Sequence, residues 1–527
     1  MNTIRRGTPF LLAIILFFAA CQSPVNNTKT ASDTSWLEEM TISRLQKGYA
    51  DGEFKISDVV KAYIQRIEEL DKNGPRLNSV IIINPDALQI AEELDKELAS
   101  GKSRGMLHGV PVILKDNIDT HDKMPTTAGS LALKDSYPAE DSYVAKKLRE
   151  AGAVILGKSN LSEWANFRAT NSSSGWSGVG GQTKNPYVLD RNPCGSSSGS
   201  GVATSANLCM LAIGTETDGS IVCPSTTNGI VGIKPTVGLI SRKGVIPISF
   251  SQDTPGPMCR TVEDAAITLG FLTGIDQSDS KTLESEGKYE TDYTKYLVKN
   301  GLSGKRIGLV KKAMGFNEKV DKLMMEAVSY LKANGAEIVE VSLPHSPSGE
   351  ELEVLMYEFK DGINKYLAST GDMITARSLE DLIEFNKKDP VELRYFNQAI
   401  FEESQKKGTL NEKEYKAALE KSLKAMRTDG IDHVMDSAKL DALISPTGSP
   451  AWKTDHLLGD HFAGGDSSPA AISGYPAITV PMGFVEDLPV GITFFGKAWS
   501  EGKLLTIAYS YEQGTKHRKA PGYLVTD

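Results

Sequence analysis

Two short apolar runs lie on either side of a helical segment in the first third of the chain. The runs at 109–114 (GVPVIL) and 153–156 (AVIL) begin beside glycine and are short enough to be buried strands, while residues 142–152 show helical spacing. Strands that alternate with helices are typical of α/β proteins, in which helices cover a sheet. The sequence therefore predicts an α/β fold.

Later segments continue this pattern. Helices are predicted within 36–73 and 86–99, core-like runs at 208–213 and 229–237, a strand–helix–strand unit at 307–310, 319–334 and 337–341, and late strands at 442–445, 477–480 and 490–495. Residues 350–436 are charged and helical in pattern and are interpreted as an insertion over the α/β body. No internal repeat is visible, so a single domain over 36–527 is predicted.

The first 20 residues have the three parts of an export signal. Arg5 and Arg6 precede an apolar run of 11 residues, Phe10 to Ala20, which is too short for a membrane span of about 20 residues. The sequence Phe18-Ala19-Ala20-Cys21 resembles a bacterial lipobox, in which the cysteine is acylated, and polar residues 21–35 fit a tether. We expect an exported cell-envelope lipoprotein, anchored to a bacterial membrane through Cys21. The alternative is a signal peptide cut nearby, with Cys21 incidental.

Charge and metal-binding residue types exclude several classes of function. With 58 basic and 67 acidic side chains the net charge is -9, which argues against a nucleic-acid-binding surface. The seven histidines show no ligand spacing, so neither a metal nor a cofactor is predicted. Four further cysteines lack a C-x-x-C pair and are predicted to be buried small apolar residues instead of a disulfide or metal site: Cys194, Cys209, Cys223 and Cys259.

Two formal motif matches are rejected on their context. Gly152–Ser159 matches a phosphate loop, but its middle residues Ala-Val-Ile-Leu predict a strand instead of a flexible anion-binding turn. Gly195–Gly199 matches the G-x-S-x-G nucleophile elbow, which requires an apolar strand before it and a catalytic histidine. The preceding residues 187–194 are polar and rich in turn formers.

A third constellation combines one lysine with two serine-bearing loops. Lys115 ends the apolar run 110–114, where burial would lower its pKa and make a neutral general base. Ser196 and Ser220 lie 24 residues apart, and residues 217–220 form a turn whose N–H groups could converge on one oxygen. A lysine that acts through a second serine would activate a nucleophile without histidine. Ser-rich loops are also common as plain turns, so these residue types alone leave both interpretations open.

Four spaced motifs together resemble the amidase signature family. They are GVPVILKDNID (109–119), PCGSSSGSG (193–201), GTETDGSIVCPS (214–225) and GIKPTVGLISRKGVIP (232–247), within a dense region of about 56–272, and the resemblance resumes at 445–452 and 474–483. It implies a large mixed β-sheet surrounded by α-helices, with the helical insertion in the C-terminal half, and a Ser/cis-Ser/Lys triad.

Matching the motifs residue by residue assigns the implied roles. Lys115 corresponds to the base, Ser196 to the cis-serine and Ser220 to the nucleophile, while Thr217, Asp218 and Gly219 correspond to the oxyanion hole. The usual G-G-S-S-G-G-S reads Gly195-Ser-Ser-Ser-Gly-Ser200 here, and the spacing to Ser220 favours Ser196 over Ser197.

The resemblance implies hydrolysis of an amide through a covalent acyl-enzyme, with release of ammonia or an amine. A peptide C-terminal amide or related acyl amide is the favoured substrate, with pocket walls expected from 350–436 and 451–473. The alternatives are an A-type subunit of glutamyl-tRNA(Gln) amidotransferase, against which the export signal argues, and a non-catalytic anchored binding lipoprotein.

Overall fold

A mixed β-sheet of eleven strands forms the centre of the molecule in the computed structural model, which describes Met1, Thr3 and residues 33–526. The predicted export signal and Cys21 lie outside the described residues. The strands, in chain order, are β1 (Val80–Ile83), β2 (Pro111–Lys115), β3 (Val154–Ser159), β4 (Trp176–Ser177), β5 (Gly181–Gln182), β6 (Leu211–Glu216), β7 (Val231–Lys234), β8 (Thr254–Cys259), β9 (Arg306–Val310), β10 (Glu337–Val341), β11 (Ala442–Pro446), β12 (Ala477–Val485) and β13 (Leu488–Phe495). Strands β4 and β5 pair separately.

The large sheet has two parallel flanks and an antiparallel centre. Its order is β1-β3-β2-β6-β8-β7-β12-β13-β11-β9-β10. Strands β3, β2 and β6 run parallel on one side, and β11, β9 and β10 run parallel on the other. Parallel neighbours need long crossover connections, usually helical, which explains why strands and helices alternate along these parts of the chain.

Helices surround this sheet, as the predicted fold class requires. Several begin at a side-chain cap, such as Ser142, whose hydroxyl accepts a hydrogen bond from Ala145 N before α4. The α-helices assigned in the described residues are α1 (Ile42–Ala50), α2 (Ile56–Arg66), α3 (Ala87–Ala99), α4 (Tyr143–Glu150), α5 (Ser198–Ser205), α6 (Val222–Thr227), α7 (Val262–Leu272), α8 (Glu318–Ala333), α9 (Ser348–Ala368), α10 (Leu379–Lys388), α11 (Ala399–Gln405), α12 (Lys413–Leu423), α13 (Asp432–Ser437), α14 (Ser468–Ser473) and α15 (Glu501–Thr515).

Two strands of the sheet were not predicted. Strand β1 pairs antiparallel with β3 at one edge, and β8 lies between β6 and β7 near the middle. The sequence of β8, TPGPMC, contains two prolines and a glycine. Because proline cannot donate to a strand ladder, such a sequence argues against an internal strand. Its place in the sheet is set by its neighbours and not by its own pattern.

The helical segment 348–437 packs over the loops at one side of the sheet. Phe359 of α9 lies 5.1 Å from Phe167 and 5.2 Å from Phe401, measured between ring centroids. Phe401 in turn lies 5.7 Å from Trp164. These aromatic contacts fix α9 and α11 against the segment that follows β3. Among residues 33–526, no helix is both long enough and apolar enough to cross a bilayer.

Candidate active site

Lys115 ends strand β2 with its side chain fully buried. Its Nζ lies 2.8 Å from Ser196 Oγ, 2.9 Å from Thr215 Oγ1 and 3.2 Å from the Thr215 carbonyl oxygen. Burial lowers the pKa of Lys115 to about 7, and the carboxyls of Asp253 and Glu216 only partly oppose that shift. A large fraction of this amine is therefore neutral near pH 7 and can accept a proton from Ser196.

The Ser196 loop (residues 193–198) leads into α5 and holds its three serines in different environments. The Gly195–Ser196 peptide bond is cis. Ser197 Oγ donates to the Thr215 carbonyl oxygen at 3.0 Å, and Ser198 Oγ donates to the Cys194 carbonyl oxygen at 2.6 Å. Of these three hydroxyls, Ser196 is the one in contact with Lys115, which agrees with the choice made from the spacing.

Glycine is required at position 195 by a close approach of neighbouring chain. A Cβ there would lie 2.2 Å from Ser162 Oγ and 2.9 Å from Ser198 Oγ. Contacts this short do not occur between real atoms, so a side chain at position 195 would force the Ser162 and Ser198 hydroxyls out of their hydrogen bonds with Gly175 N and the Cys194 carbonyl oxygen. The glycine in the motif therefore has a steric role.

The Ser220 turn (residues 217–221) connects β6 with α6. Its two ends are held by Glu216, whose Oε2 accepts hydrogen bonds from Ile221 N at 2.7 Å and Val222 N at 3.0 Å. Within the described part of the chain, the backbone N–H groups of Thr217, Asp218 and Gly219 have no hydrogen-bond acceptor. Those three groups are thus available to a ligand, as an oxyanion hole requires.

Side chains from the loop before β8 support the Ser220 turn. Thr217 Oγ1 donates to Asp253 Oδ1 at 2.6 Å, while Gln252 Nε2 donates to the Thr217 carbonyl oxygen at 3.2 Å. Gln252 Nε2 also donates to Glu351 Oε1 at 2.9 Å, so α9 of the helical segment reaches this turn. Pocket walls were expected from residues 350–436, but no sequence motif pointed to Glu351, Gln252 or Asp253.

Two further acids, Glu351 and Asp466, lie near Asp218 of the turn. Asp218 Oδ2 accepts a hydrogen bond from Ser468 Oγ at 2.6 Å. Burial, followed by the nearby Asp218 carboxylate, raises the pKa of Glu351 to about 9. Burial chiefly raises the pKa of Asp466 to about 7, with Asp218 adding to the effect. Residues from both predicted wall segments, 350–436 and 451–473, therefore contact the Ser220 turn or lie close to it.

A disulfide joins Cys194 to Cys223, with their Cα atoms 5.9 Å apart. The prediction that all four cysteines are unpaired was wrong for these two. It holds for Cys209 and Cys259, which are buried and free. The pair is 29 residues apart in sequence, and the two thiols meet only because the Ser196 loop and the Ser220 turn pack together.

The two rejected motifs have the structures expected of them. Residues 154–159 form strand β3, and Lys158 Nζ donates to the Ile118 carbonyl oxygen at 2.7 Å and to Thr126 Oγ1 at 2.9 Å. That lysine binds the segment that follows β2 and does not face a phosphate-binding turn. The central serine of the elbow match, Ser197, has its hydroxyl bonded to a backbone carbonyl.

A family model described as Amidase matches residues 58–505 of this chain. The chain belongs to the amidase family. A probable amidase of Arabidopsis thaliana is 41% identical over 500 residues, which cover 94% of this chain and 93% of that protein. The A-type subunit of glutamyl-tRNA(Gln) amidotransferase from Thermoanaerobacter pseudethanolicus is 34% identical, over 92% of this chain and 98% of that one.

A solved structure gives the same result for the fold of this amidase. The native peptide amidase of Stenotrophomonas maltophilia superposes with a TM-score of 0.89 and 47% identity, covering 92% of this chain and 99% of that one. The match extends over the mixed sheet and its surrounding helices, which confirms the predicted amidase signature fold. The amidase is a hydrolase that acts on amides.

Proposed function

We propose that amide hydrolysis proceeds through Ser220, with Ser196 as proton relay and Lys115 as base. The observation that carries this proposal is the 2.8 Å contact between Lys115 Nζ and Ser196 Oγ. Neutral Lys115 takes the proton of Ser196 while Ser196 takes the proton of Ser220. Ser220 Oγ then attacks the amide carbon and forms a tetrahedral intermediate.

The Ser220 turn stabilises the negative oxygen of that intermediate. The free N–H groups of Thr217, Asp218 and Gly219 donate to it from a largely buried turn, where such bonds are strong. As the C–N bond breaks, the proton held by Lys115 returns through Ser196 to the leaving nitrogen. Water then attacks the acyl-enzyme, passes its proton along the same relay, and releases the acid and free Ser220.

A peptide C-terminal amide is the substrate that this proposal favours. The supporting observation is the 47% identity with a peptide amidase over 92% of the chain. Similarity to the A-type amidotransferase protein supports the main alternative, but it amounts to 34% identity. An export signal would also separate this chain from cytosolic charged tRNA. A non-catalytic binding role is disfavoured because Lys115, Ser196 and Ser220 are all present.

The test measures ammonia release from peptide C-terminal amides, aliphatic amides, aryl amides and free glutamine. Ser220→Ala should lower turnover on the order of 10⁴-fold or more, because it removes the nucleophile. Ser225→Ala is the matched control, since Ser225 is buried in α6 and its Oγ has no partner within the described residues. A folded Ser220→Ala protein with the turnover of the unmodified protein would overturn the assignment.

We also propose that the chain is exported and anchored through an acylated Cys21. The support is the sequence pattern alone: Arg5 and Arg6, the apolar run that ends at Ala20, and the cysteine that follows. Cys21→Ala should abolish incorporation of labelled fatty acid and release the protein from the membrane fraction. Complete membrane partitioning of Cys21→Ala would contradict lipid anchoring.

A further inference from the structure

The disulfide joins the two segments that carry Ser196 and Ser220. Cys194 precedes Ser196 by two positions, and Cys223 follows Ser220 by three, in the first turn of α6. The bridge therefore joins the Ser196 loop directly to the far side of the Ser220 turn. The observed disulfide has no part in the chemistry proposed above, and its position calls for a separate explanation.

Few hydrogen bonds hold these two segments together. Ser197 N donates to the Ser220 carbonyl oxygen at 3.1 Å. At the end of α6, Thr227 Oγ1 and Asn228 Nδ2 donate to the Pro193 carbonyl oxygen at 2.7 and 2.9 Å. Ser197 Oγ also donates to the Thr215 carbonyl oxygen and accepts from Thr215 N, in the strand that leads into the turn. No strand ladder joins the two segments, both of which the structure describes in full, so their relative position depends on these hydrogen bonds, on packing and on the disulfide.

Each cysteine is also fixed firmly to its own segment. The Cys194 carbonyl oxygen accepts from Ser198 Oγ, and Cys194 N donates to Asn192 Oδ1 at 2.8 Å. Cys223 N donates to the Gly219 carbonyl oxygen at 2.8 Å. Because both ends are anchored within two or three residues of a serine, a shift in one segment would be passed to the other through the bridge.

We infer that the Cys194–Cys223 disulfide is a positioning bridge for the Ser196–Ser220 relay, and that its reduction slows amide hydrolysis reversibly. This inference rests on the proposed function. Proton transfer between two hydroxyls requires hydrogen-bond distance, and a displacement of about 1 Å in a catalytic group can cost about 10²-fold in rate. The bridge is outside the reacting atoms, so its loss should lower kcat and leave KM nearly unchanged.

The reduction step requires a dithiol reductant. One reductant thiolate attacks Cys223 Sγ and displaces the Cys194 thiolate, and the second thiolate then closes the reductant's own disulfide. Two electrons and two protons pass to the protein, which ends with two thiols. Cys223 is the accessible end, since it is partly exposed whereas Cys194 is 6% exposed. In residues 33–526 the other cysteines, Cys209 and Cys259, are buried and do not compete.

The experiment compares kcat and KM of the full chain before and after treatment with a dithiol. Thiol titration should show two new thiols, and kcat should fall about 10- to 100-fold while KM changes less than about threefold. Reoxidation should restore kcat. Cys259→Ala, a control that removes a free cysteine, should behave in the same way. Cys194→Ser/Cys223→Ser should have the low kcat already and should not respond to dithiol.

Near-ultraviolet circular dichroism and the melting temperature separate positioning from unfolding. A fall in kcat with an unchanged spectrum at the assay temperature supports the positioning role of the disulfide. A fall in kcat that accompanies loss of the spectrum overturns that role. If kcat stays within twofold after both thiols appear, the inference is also wrong. In that case Ser220→Ala still tests the proposed function independently, because it should be inactive in both redox states. Should the double variant fail to fold, reduction of the unmodified protein decides the question.

Discussion

Lys115 and Lys158 occupy neighbouring parallel strands, and both are fully buried. The register places Lys115 opposite Ser159 and Lys158 opposite Leu114. Because side chains alternate along a strand, the two lysines leave opposite faces of the sheet. Burial lowers the pKa of both amines. Any difference in role between the two lysines must therefore come from the side chains and backbone groups that surround each one on its own face of the sheet.

On one face Lys115 contacts a serine hydroxyl of the loop that meets the Ser220 turn. On the other face Lys158 lies among carboxyls, and burial raises the pKa of Asp116 and of Asp119 to about 6, although Lys158 opposes both shifts. Tyr366 OH of α9 donates to Asp119 Oδ1 at 2.9 Å, which extends this cluster to the helical segment. Burial favours the neutral amine of both lysines. Their hydrogen-bond partners differ: Lys115 contacts the Ser196 hydroxyl, whereas Lys158 contacts the Ile118 carbonyl and the Thr126 hydroxyl.

The largest expected contrast is between Lys115→Met and Lys158→Met. Lys115→Met should lower kcat about 10³-fold, because it removes the base. The direct partners that it loses are Ser196 and Thr215, and no carboxylate is among them. Lys158→Met should instead destabilise the fold by about 1–3 kcal/mol, because the buried Ile118 carbonyl and Thr126 hydroxyl lose their hydrogen-bond donor and the cation near Asp116 and Asp119 is removed. Chemical denaturation and steady-state kinetics measure both. A folded Lys158→Met protein that loses as much kcat as Lys115→Met would remove the distinction.

The pH profile sharpens the same contrast. In the proposed mechanism neutral Lys115 is the active form, and burial lowers its pKa to about 7, so kcat/KM should rise tenfold per pH unit below about 7 and level off above it. Stability should respond in the same direction, since a lysine with a depressed folded-state pKa favours unfolding as pH falls toward that value. A profile that stays flat down to pH 5 would contradict Lys115 as the base.

Glu216→Gln removes the charge of a carboxylate that lies near a third buried lysine, Lys234, and should have a smaller effect on kcat. Burial lowers the pKa of Lys234 to about 8, and Glu216 is the carboxylate that most opposes this shift. Since Glu216 also accepts from Ile221 N and Val222 N, the neutral amide should loosen the Ser220 turn and lower kcat about tenfold. Hydrolysis kinetics with a thermal melt measure this, and an unchanged kcat would show that the turn does not need the charge.

Tyr366→Phe should have the smallest effect. It removes one hydrogen bond to Asp119 and should lower the free energy of unfolding by about 1 kcal/mol, with kcat within twofold of the unmodified protein. Denaturant unfolding and ammonia release are the measurements. A tenfold loss of kcat in a folded Tyr366→Phe protein would mean that the Lys158 face also acts on catalysis.

Local pattern was sufficient for the strands that carry the site. Glycine-bounded apolar runs located β2 and β3, and the position of Lys115 at the end of its run indicated a buried amine. Both signals come from residues near one another in sequence, where hydrophobic periodicity acts directly. The choice of Ser196 rested instead on the motif resemblance, within which the 24-residue spacing to Ser220 favoured it.

What the sequence did not reveal depends on contacts between distant segments. Gln252 and Glu351 are 99 residues apart and meet only when α9 packs over the sheet. Cys194 and Cys223 pair because two loops converge, and β8 is a strand because β6 and β7 offer it partners in spite of its prolines. No single-residue property or short-range spacing encodes these long-range contacts.

The strand order also has a consequence for synthesis and folding. Strand β12 pairs with β7, and β13 pairs with β11, so the last two strands of the sheet lie between β7, which is made much earlier, and β11, which is made shortly before them. Pairings this distant in sequence carry a large loop-closure cost and slow folding. Until β12 and β13 arrive, β7 and β11 have open edges that can pair with other chains. The two halves of the sheet therefore become one only when the C-terminal strands are in place.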